Sequence, residues 1–282
     1  MIKKSKPVLV LGPGHSTSTV VSNIKKNESA ILAFQRVFPH CHSLYGIVPD
    51  LWVSGDPYAF VEGFEYLLSK KNTEEFGGMK ILVPSFFTKD LTHYRRYCGT
   101  TPLMRIDNGW QRFQHLLAII ESQYDVEVFD CTSTKFIGTL SNHTELLKEE
   151  NIFGANAFYR FMHKEVIFGT VKYDSESVIG DKFKWGLENK LSSVVFPVCY
   201  YLGAKKIYIA GFDMVGPRFY NNDERHPWND ETQQDEIMKY PLASVSRWLE
   251  WSDLHGMEIF NAVNEELTLL AKVLPHCTEK NL

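Results

Sequence analysis

The sequence predicts an α/β protein with a doubly wound, mostly parallel Rossmann-like sheet, helices on both faces and an irregular lid or insertion. Three observations predict it: short apolar runs that end in glycine or proline turns, helical periodicity between those runs, and short links that join them.

Pro7-Val-Leu-Val-Leu11 is the first such run, and Gly12-Pro-Gly14 closes it, the pattern of a buried strand entering a tight turn. Residues 16–26 read as a helix with Ser16 or Thr17 as N-cap. Strands are expected at 30–34 and 51–54. The spacing of Phe60, Phe64, Leu67 and Leu68 gives a helix at 57–71, and Lys80-Ile-Leu-Val-Pro84 is the next strand. Between 88 and 190 the alternation blurs. Residues 126–129 read as a strand and 154–164 as an interrupted helix, whereas 99–110 and 172–186 are irregular and aromatic-rich, as lids and substrate loops often are. From residue 192 order returns: a helix to Leu202, Gly203 as its stop, a strand at 206–210, and Gly211-Phe-Asp213 at the strand's carboxyl end. A polar loop, a tryptophan-rich helix at 242–254, a strand at 257–260 and a last helix at 265–274 complete the chain. With no internal repeat, low-complexity tract or linker, 1–282 is expected to form a single α/β domain, with 88–190 its irregular middle and 214–240 a lid loop.

A chain of 282 residues with 44% hydrophobic and 23% charged residues has an ordinary globular composition and can bury a sizeable core. No apolar run approaches the roughly 20 residues that cross a bilayer, and residues 7–12 are too short for a signal-peptide core. Cytoplasmic localisation is therefore expected. The net charge of -4 supplies no general attraction to nucleic acid. Lys3, Lys4 and Lys6 read as a solvated terminus or as a contact to a membrane surface. Five cysteines, Cys41, Cys98, Cys131, Cys199 and Cys277, are scattered without a Cys-x-x-Cys pair, which suggests reduced packing residues and neither a disulfide framework nor a zinc site.

Four places have residues that can do chemistry. Gly12, Pro13, Gly14, His15 and Ser16 lie between strand and helix, where small residues let backbone N–H groups face an anion such as phosphate; the same residues also make a plain tight turn. The spacing is neither Gly-x-Gly-x-x-Gly nor Gly-x-x-x-x-Gly-Lys-Ser/Thr, which disfavours NAD enzymes and P-loop ATPases. Asp56, in Val53-Ser-Gly-Asp-Pro57, falls at the end of the third strand, at the edge where open α/β sheets bind ligands. It can accept hydrogen bonds from a ribose or sugar hydroxyl, or cap the helix that follows. Third, in Gly211-Phe-Asp213, also at a strand's carboxyl end, Asp213 has the same pair of readings. Fourth, the segment 218–234 combines His226 with four acidic residues and several aromatics. That mixture suits sugar stacking and proton transfer, or forms a solvated loop. The spacing of His226, Asp223 and Asp230 fits no metal-ligand motif, and no metal is expected. His40, His42, His93 and His143 read as ordinary surface or core histidines.

Taken together, these segments resemble the bacterial family 42 sialyltransferases and the related domain of motility accessory factors and hydroxymethylpterin diphosphokinase-like proteins. Gly12-Pro-Gly-His-Ser16 approximates the family's Gly-Asn-Gly-Pro-Ser-type turn without its asparagine. Arg36 is nearest to the polar nucleotide-contacting residue after the second strand, and Asp56-Pro57 matches the Asn-Pro or Asp-Pro that ends the third. The late block from Ser192-Ser193 through Leu202-Gly-Ala-Lys-Lys-Ile-Tyr-Ile-Ala-Gly-Phe-Asp213 is similar to the family's Thr-Ser helix, Leu-Gly and Ile-Tyr-Leu-x-Gly-x-Asp strand. Trp248-Leu-Glu250 and Glu258-Ile-Phe-Asn261 continue it. The middle of the chain does not match.

The resemblance implies a glycosyltransferase that moves sialic acid or a related ulosonic acid from a CMP-activated donor to a bacterial surface glycan, in lipopolysaccharide or capsule synthesis. No cofactor is required. Arg36, Ser192, Ser193, Arg218 and Tyr220 are then the groups that neutralise the departing phosphate. In the sialyltransferases a histidine shortly before the last long helix is the general base; His226 lies further upstream here, with Asp223 and Asp230 as reserves. The implied partners are a nucleotide-sugar donor, a glycan or glycolipid acceptor and a second copy of the chain in a homo-oligomer, with peripheral association at the inner membrane and no nucleic acid. Two rival readings remain: a Mg²⁺-dependent pyrophosphokinase acting on a pterin, with Asp56 and Asp213 on the metal, and a nucleotide-binding module without catalysis.

Overall fold

Val8–Leu11 (β1) is four consecutive apolar residues, all buried. A strand shielded on both faces needs a hydrogen-bonding neighbour on each edge. In the computed structural model β1 pairs in parallel with Ala30–Phe34 (β2) on one side and with Lys206–Ala210 (β6) on the other. The structure describes residues 6–24, 29–54, 57–71, 73–84, 88, 109–129, 191, 195–213, 216–225, 242, 245–246, 249, 252–253 and 256–277.

From β2 the sheet continues outward through Leu51–Val53 (β3), Lys80–Pro84 (β4) and Asp125–Phe129 (β5), each parallel to the last. The chain then returns to the other side of β1, where β6 pairs with Glu258–Asn261 (β9). The resulting seven-stranded order is β5-β4-β3-β2-β1-β6-β9, all parallel. Winding reverses between β1 and β6, the kind of switch point at whose carboxyl edge open α/β sheets take ligands. The expected mostly parallel α/β sheet is the one observed.

Helices Thr17–Val21 (α1), Val37–Tyr45 (α2), Pro57–Leu68 (α3), Gly109–Glu121 (α4) and Phe196–Tyr201 (α5) alternate with the strands. Their aromatic residues fill the core around Trp52, whose ring centroid lies 5.1 Å from those of Phe38 and Phe60 and 5.7 Å from that of Phe64. Cys41, Cys199 and Cys277 are buried, and burial pushes the Cys41 and Cys199 thiols up to about 12.

Several elements differ from the expectation for identifiable reasons. α1 stops at Val21 instead of residue 26: it is rich in Ser, Thr and Val, poor helix formers whose hydroxyls compete for the backbone. Ser18, Thr19 and Ser22 each donate to the carbonyl three residues back, at 2.7, 2.8 and 3.3 Å. α2 carries Pro39 in its first turn, where proline is tolerated, and ends at Gly46 in the left-handed conformation. α4 buries Phe113, Leu116, Leu117 and Ile120, a helical stripe within the stretch that reads as irregular. The last helix is two 3-10 turns, Glu265–Leu267 and Leu269–Lys272, separated by Thr268 in extended conformation. Part of the lid loop is a hairpin, Pro217–Arg218 (β7) with Asn221–Arg225 (β8). Among the described residues, no helix is long and apolar enough to cross a membrane.

Candidate functional site

Leu11 and Ala210 are register partners at the ends of β1 and β6, so the two following loops leave the sheet side by side. They close on each other through backbone bonds: Gly12 N–H donates to the Ala210 carbonyl at 2.7 Å, and Gly14 N–H to the Gly211 carbonyl at 2.6 Å. This approach needs glycine. A Cβ on Gly12 would sit 2.5 Å from the Gly211 oxygen and one on Gly14 2.5 Å from Asp213 Oδ2, while Gly211 itself has φ of 75°.

Side chains complete the closure. Ser16 donates its N–H to Asp213 Oδ2 at 2.8 Å and its hydroxyl to Asp213 Oδ1, and Ser16 Oγ in turn accepts the Gly211 N–H at 2.9 Å. The Thr17 hydroxyl donates to the Gly12 carbonyl at 2.6 Å. The Asp213 carbonyl accepts from Leu269 N–H at 3.1 Å, which draws in the segment after β9. Ser16, Thr17 and Asp213 are buried polar residues in an apolar core, a situation that demands such partners. Burial raises the Asp213 carboxyl to about 6, outweighing the Ser16 hydrogen bonds and the positive charges of His15 and Arg218, which favour its ionised form.

The N–H groups of Gly12, Gly14 and Ser16 are thus all engaged inside the protein, and Thr17 N–H bonds the Gly14 carbonyl at 3.2 Å. α1 is five residues long. The turn is a stitch between β1 and β6; what it offers a ligand lies in its other groups, of which His15 is the exposed side chain.

The β7–β8 hairpin crosses this stitch. Gly14 and Arg218 form an antiparallel bridge, and Phe219 N–H donates to the Pro13 carbonyl at 3.2 Å. At the hairpin turn Tyr220 lies flat on His40 of α2, with centroids 3.9 Å apart and planes at 9°. Phe219 stands T-shaped to His40 and Tyr220, with centroids at 6.5 and 5.1 Å. Residues 12–16 therefore meet, at the switch point, two segments from nearly 200 positions further along the chain, 211–213 and 217–220.

Of the residues named from sequence, Gly12, Pro13, Gly14, His15, Ser16, Gly211, Asp213, Arg218 and Tyr220 come together here. Arg36 stands at the carboxyl end of β2 but turns to α3: its guanidinium pairs with Glu62 at 2.7 Å and lies 5.1 Å over the Tyr58 ring. Asp56, Ser192, Ser193, His226 and Asp230 lie outside the described residues, as does the side chain of Asp223. Asp213 is bonded by Ser16, and among the described residues no group of three or more His, Cys, Asp or Glu side chains could hold a metal ion. His40, which the sequence reads as an ordinary surface or core histidine, stacks on Tyr220 from α2.

The chain aligns with solved Campylobacter jejuni sialyltransferases. With the monofunctional α-2,3-sialyltransferase Cst-I it shares 13% identity at a TM-score of 0.46, over 98% of this chain and 82% of that one. With CstII in complex with cytidine-5'-monophosphate the identity is 13% and the TM-score 0.46, over 99% and 87%. With CstII in complex with CMP-3FNeuAc they are 13% and 0.47, over 98% and 88%. No protein-family model and no curated protein sequence matches the chain.

Proposed function

We propose that this protein is a glycosyltransferase of the sialyltransferase-like kind, which transfers a sialic acid or related ulosonic acid from a CMP-linked donor to a glycan acceptor. One observation carries the reading: at the point where the sheet's winding reverses, the β1 and β6 loops are locked together by Ser16 and Asp213, and the β7–β8 hairpin brings Arg218 and Tyr220 over them. The late sequence block that ends in Gly211-Phe-Asp213 supports the same family.

In this reaction the acceptor hydroxyl oxygen attacks the anomeric carbon, the bond from that carbon to the donor's phosphate oxygen breaks, and CMP departs. A base takes the acceptor proton. Arg218, half-buried beside the turn, is the cation for the departing phosphate, with the Tyr220 hydroxyl as a donor, and His226 is the base. Most of the rate would come from holding donor and acceptor in line and from stabilising the leaving phosphate.

Calorimetric titration with CMP, UDP, GDP and ATP, each with and without Mg²⁺, tests the reading. Saturable CMP binding that does not need Mg²⁺, followed by CMP release from CMP-sialic acid, is expected. Binding of ATP alone and only with Mg²⁺, or of none of the four, overturns it.

A further inference from the structure

We propose that His40 is a positioning residue of this site, which holds the β7–β8 hairpin over the switch point through the ring of Tyr220.

The hairpin touches the turn by one antiparallel bridge, Gly14 with Arg218, and by the Phe219 N–H bond to the Pro13 carbonyl. Both are backbone contacts at or next to its turn, which Arg218 and Asn221 flank. Its own pairing is short, with two residues in β7 and a register break between Pro217 and Arg218. A hairpin of this size is not stable alone, so side-chain packing on the rest of the fold helps to hold it. The Tyr220–His40 stack supplies such packing: the rings are 3.9 Å apart and 9° from parallel, and Phe219 stands T-shaped to His40 at 6.5 Å and 33° from the Tyr45 ring plane at 6.4 Å. His40 and Tyr45 both sit on α2, a nine-residue helix whose Val37, Phe38, Pro39 and Cys41 are buried in the core. The stack therefore connects a marginal hairpin to a rigid element. Because Arg218 and Tyr220 travel with the hairpin, His40 sets where both side chains stand relative to the turn without itself touching a ligand.

This inference uses the proposed function only to say what binds; the hairpin's attachment is measured separately. Amide hydrogen exchange is compared in wild type, His40→Ala and His40→Phe. In His40→Ala the Phe219 amide is expected to exchange roughly two- to tenfold faster, the size of one aromatic pair. The Gly12 and Gly14 amides, bonded to Ala210 and Gly211, keep their protection. His40→Phe retains a ring face without the ring nitrogens and restores the Phe219 protection. The dissociation constant for CMP follows the same order, weaker in His40→Ala and recovered in His40→Phe. Unchanged exchange at Phe219 in His40→Ala overturns the proposal. So does a loss in His40→Ala that His40→Phe fails to recover. If CMP binds none of the three proteins, the donor reading falls, while the exchange pattern still decides the role of His40.

Discussion

Ser16 gives both its backbone N–H and its hydroxyl to the carboxylate of Asp213, 197 positions away in the chain. Those two donors, with the Gly211 N–H returned to Ser16 Oγ at 2.9 Å, fasten the end of β1 to the end of β6. The contact accounts for two features that look unrelated in the sequence. It explains why Ser16, standing at the N-cap position of α1, makes no side-chain cap bond there. It also explains why an acid survives at 2% exposure.

Removing the Ser16 hydroxyl leaves the Gly211 N–H and one Asp213 oxygen buried without their partner. Ser16→Ala should therefore lower unfolding free energy by about 2–3 kcal/mol, in the range for buried hydrogen bonds to a charged group. Ser18→Ala removes a hydroxyl that bonds only its local carbonyl, and should stay within about 0.5 kcal/mol of wild type. Urea unfolding of the two variants checks this, and equal costs would show that the stitch contributes no special stability.

The Asp213 carboxyl, raised by burial from 3.8 to about 6, binds its proton more tightly in the folded than in the unfolded protein. Its contribution to stability is thus complete below about pH 4 and is lost as pH rises through about 6. Asn at this position keeps one acceptor for the Ser16 N–H and offers an N–H to Ser16 Oγ, as the protonated acid does, but has no proton to lose. The stability of wild type relative to Asp213→Asn should fall between pH 4 and 7, by an amount on the order of 1–3 kcal/mol. Parallel unfolding midpoints for the two proteins across that range would contradict it.

The strands of this fold are legible in sequence because each is a short apolar run buried on both faces and bounded by turn residues. The intervals 30–34, 80–84 and 206–210 coincide with β2, β4 and β6. What escaped was decided partly within short segments and partly by contacts across the chain. α1 is short because its hydroxyls bond backward, and α2 is hidden by Pro39, which its first turn accommodates. In the site, the glycine turn and Gly211-Phe-Asp213 were readable from their places at strand ends. That they bond each other was not, since it depends on β1 and β6 being neighbours although 195 positions separate Ser16 from Gly211. His40 gives no sequence signal, because its ring has meaning only beside Tyr220.

His226 follows the last strand of the hairpin and carries the base role in the proposed transfer. An imidazole titrates near neutral pH without the large shift a carboxylate needs. His226→Ala should cut turnover of CMP-sialic acid by roughly 10²- to 10⁴-fold while leaving the CMP dissociation constant near wild type. Turnover that stays near wild type would move the proton to Asp223 or Asp230, which the corresponding Asn variants then separate.

Gly14 distinguishes a turn shaped by backbone freedom from one shaped by space. Its φ is not in the left-handed region, so alanine fits its backbone, but a Cβ there would lie 2.5 Å from Asp213 Oδ2 and 2.8 Å from the Gly211 carbonyl oxygen. Both neighbours belong to the β6 loop, which the Gly14 N–H already grips at 2.6 Å, so the loop cannot retreat without breaking the stitch. Gly46 is the opposite case, with φ of 64° and nothing within 4 Å of an added Cβ. Gly46→Ala should cost about 1–2 kcal/mol through its backbone conformation and be indifferent to changes at Asp213. Gly14→Ala should cost about 1–3 kcal/mol through overpacking, and part of that cost should vanish when Asp213 is also replaced by alanine, since the closest of the two clashes is then gone. A double-mutant cycle on unfolding free energy measures the difference. Coupling of about 1 kcal/mol or more between positions 14 and 213, with none between 46 and 213, is the expected result; strict additivity at both pairs would mean that the carboxylate of Asp213 does not stand against Gly14 in solution.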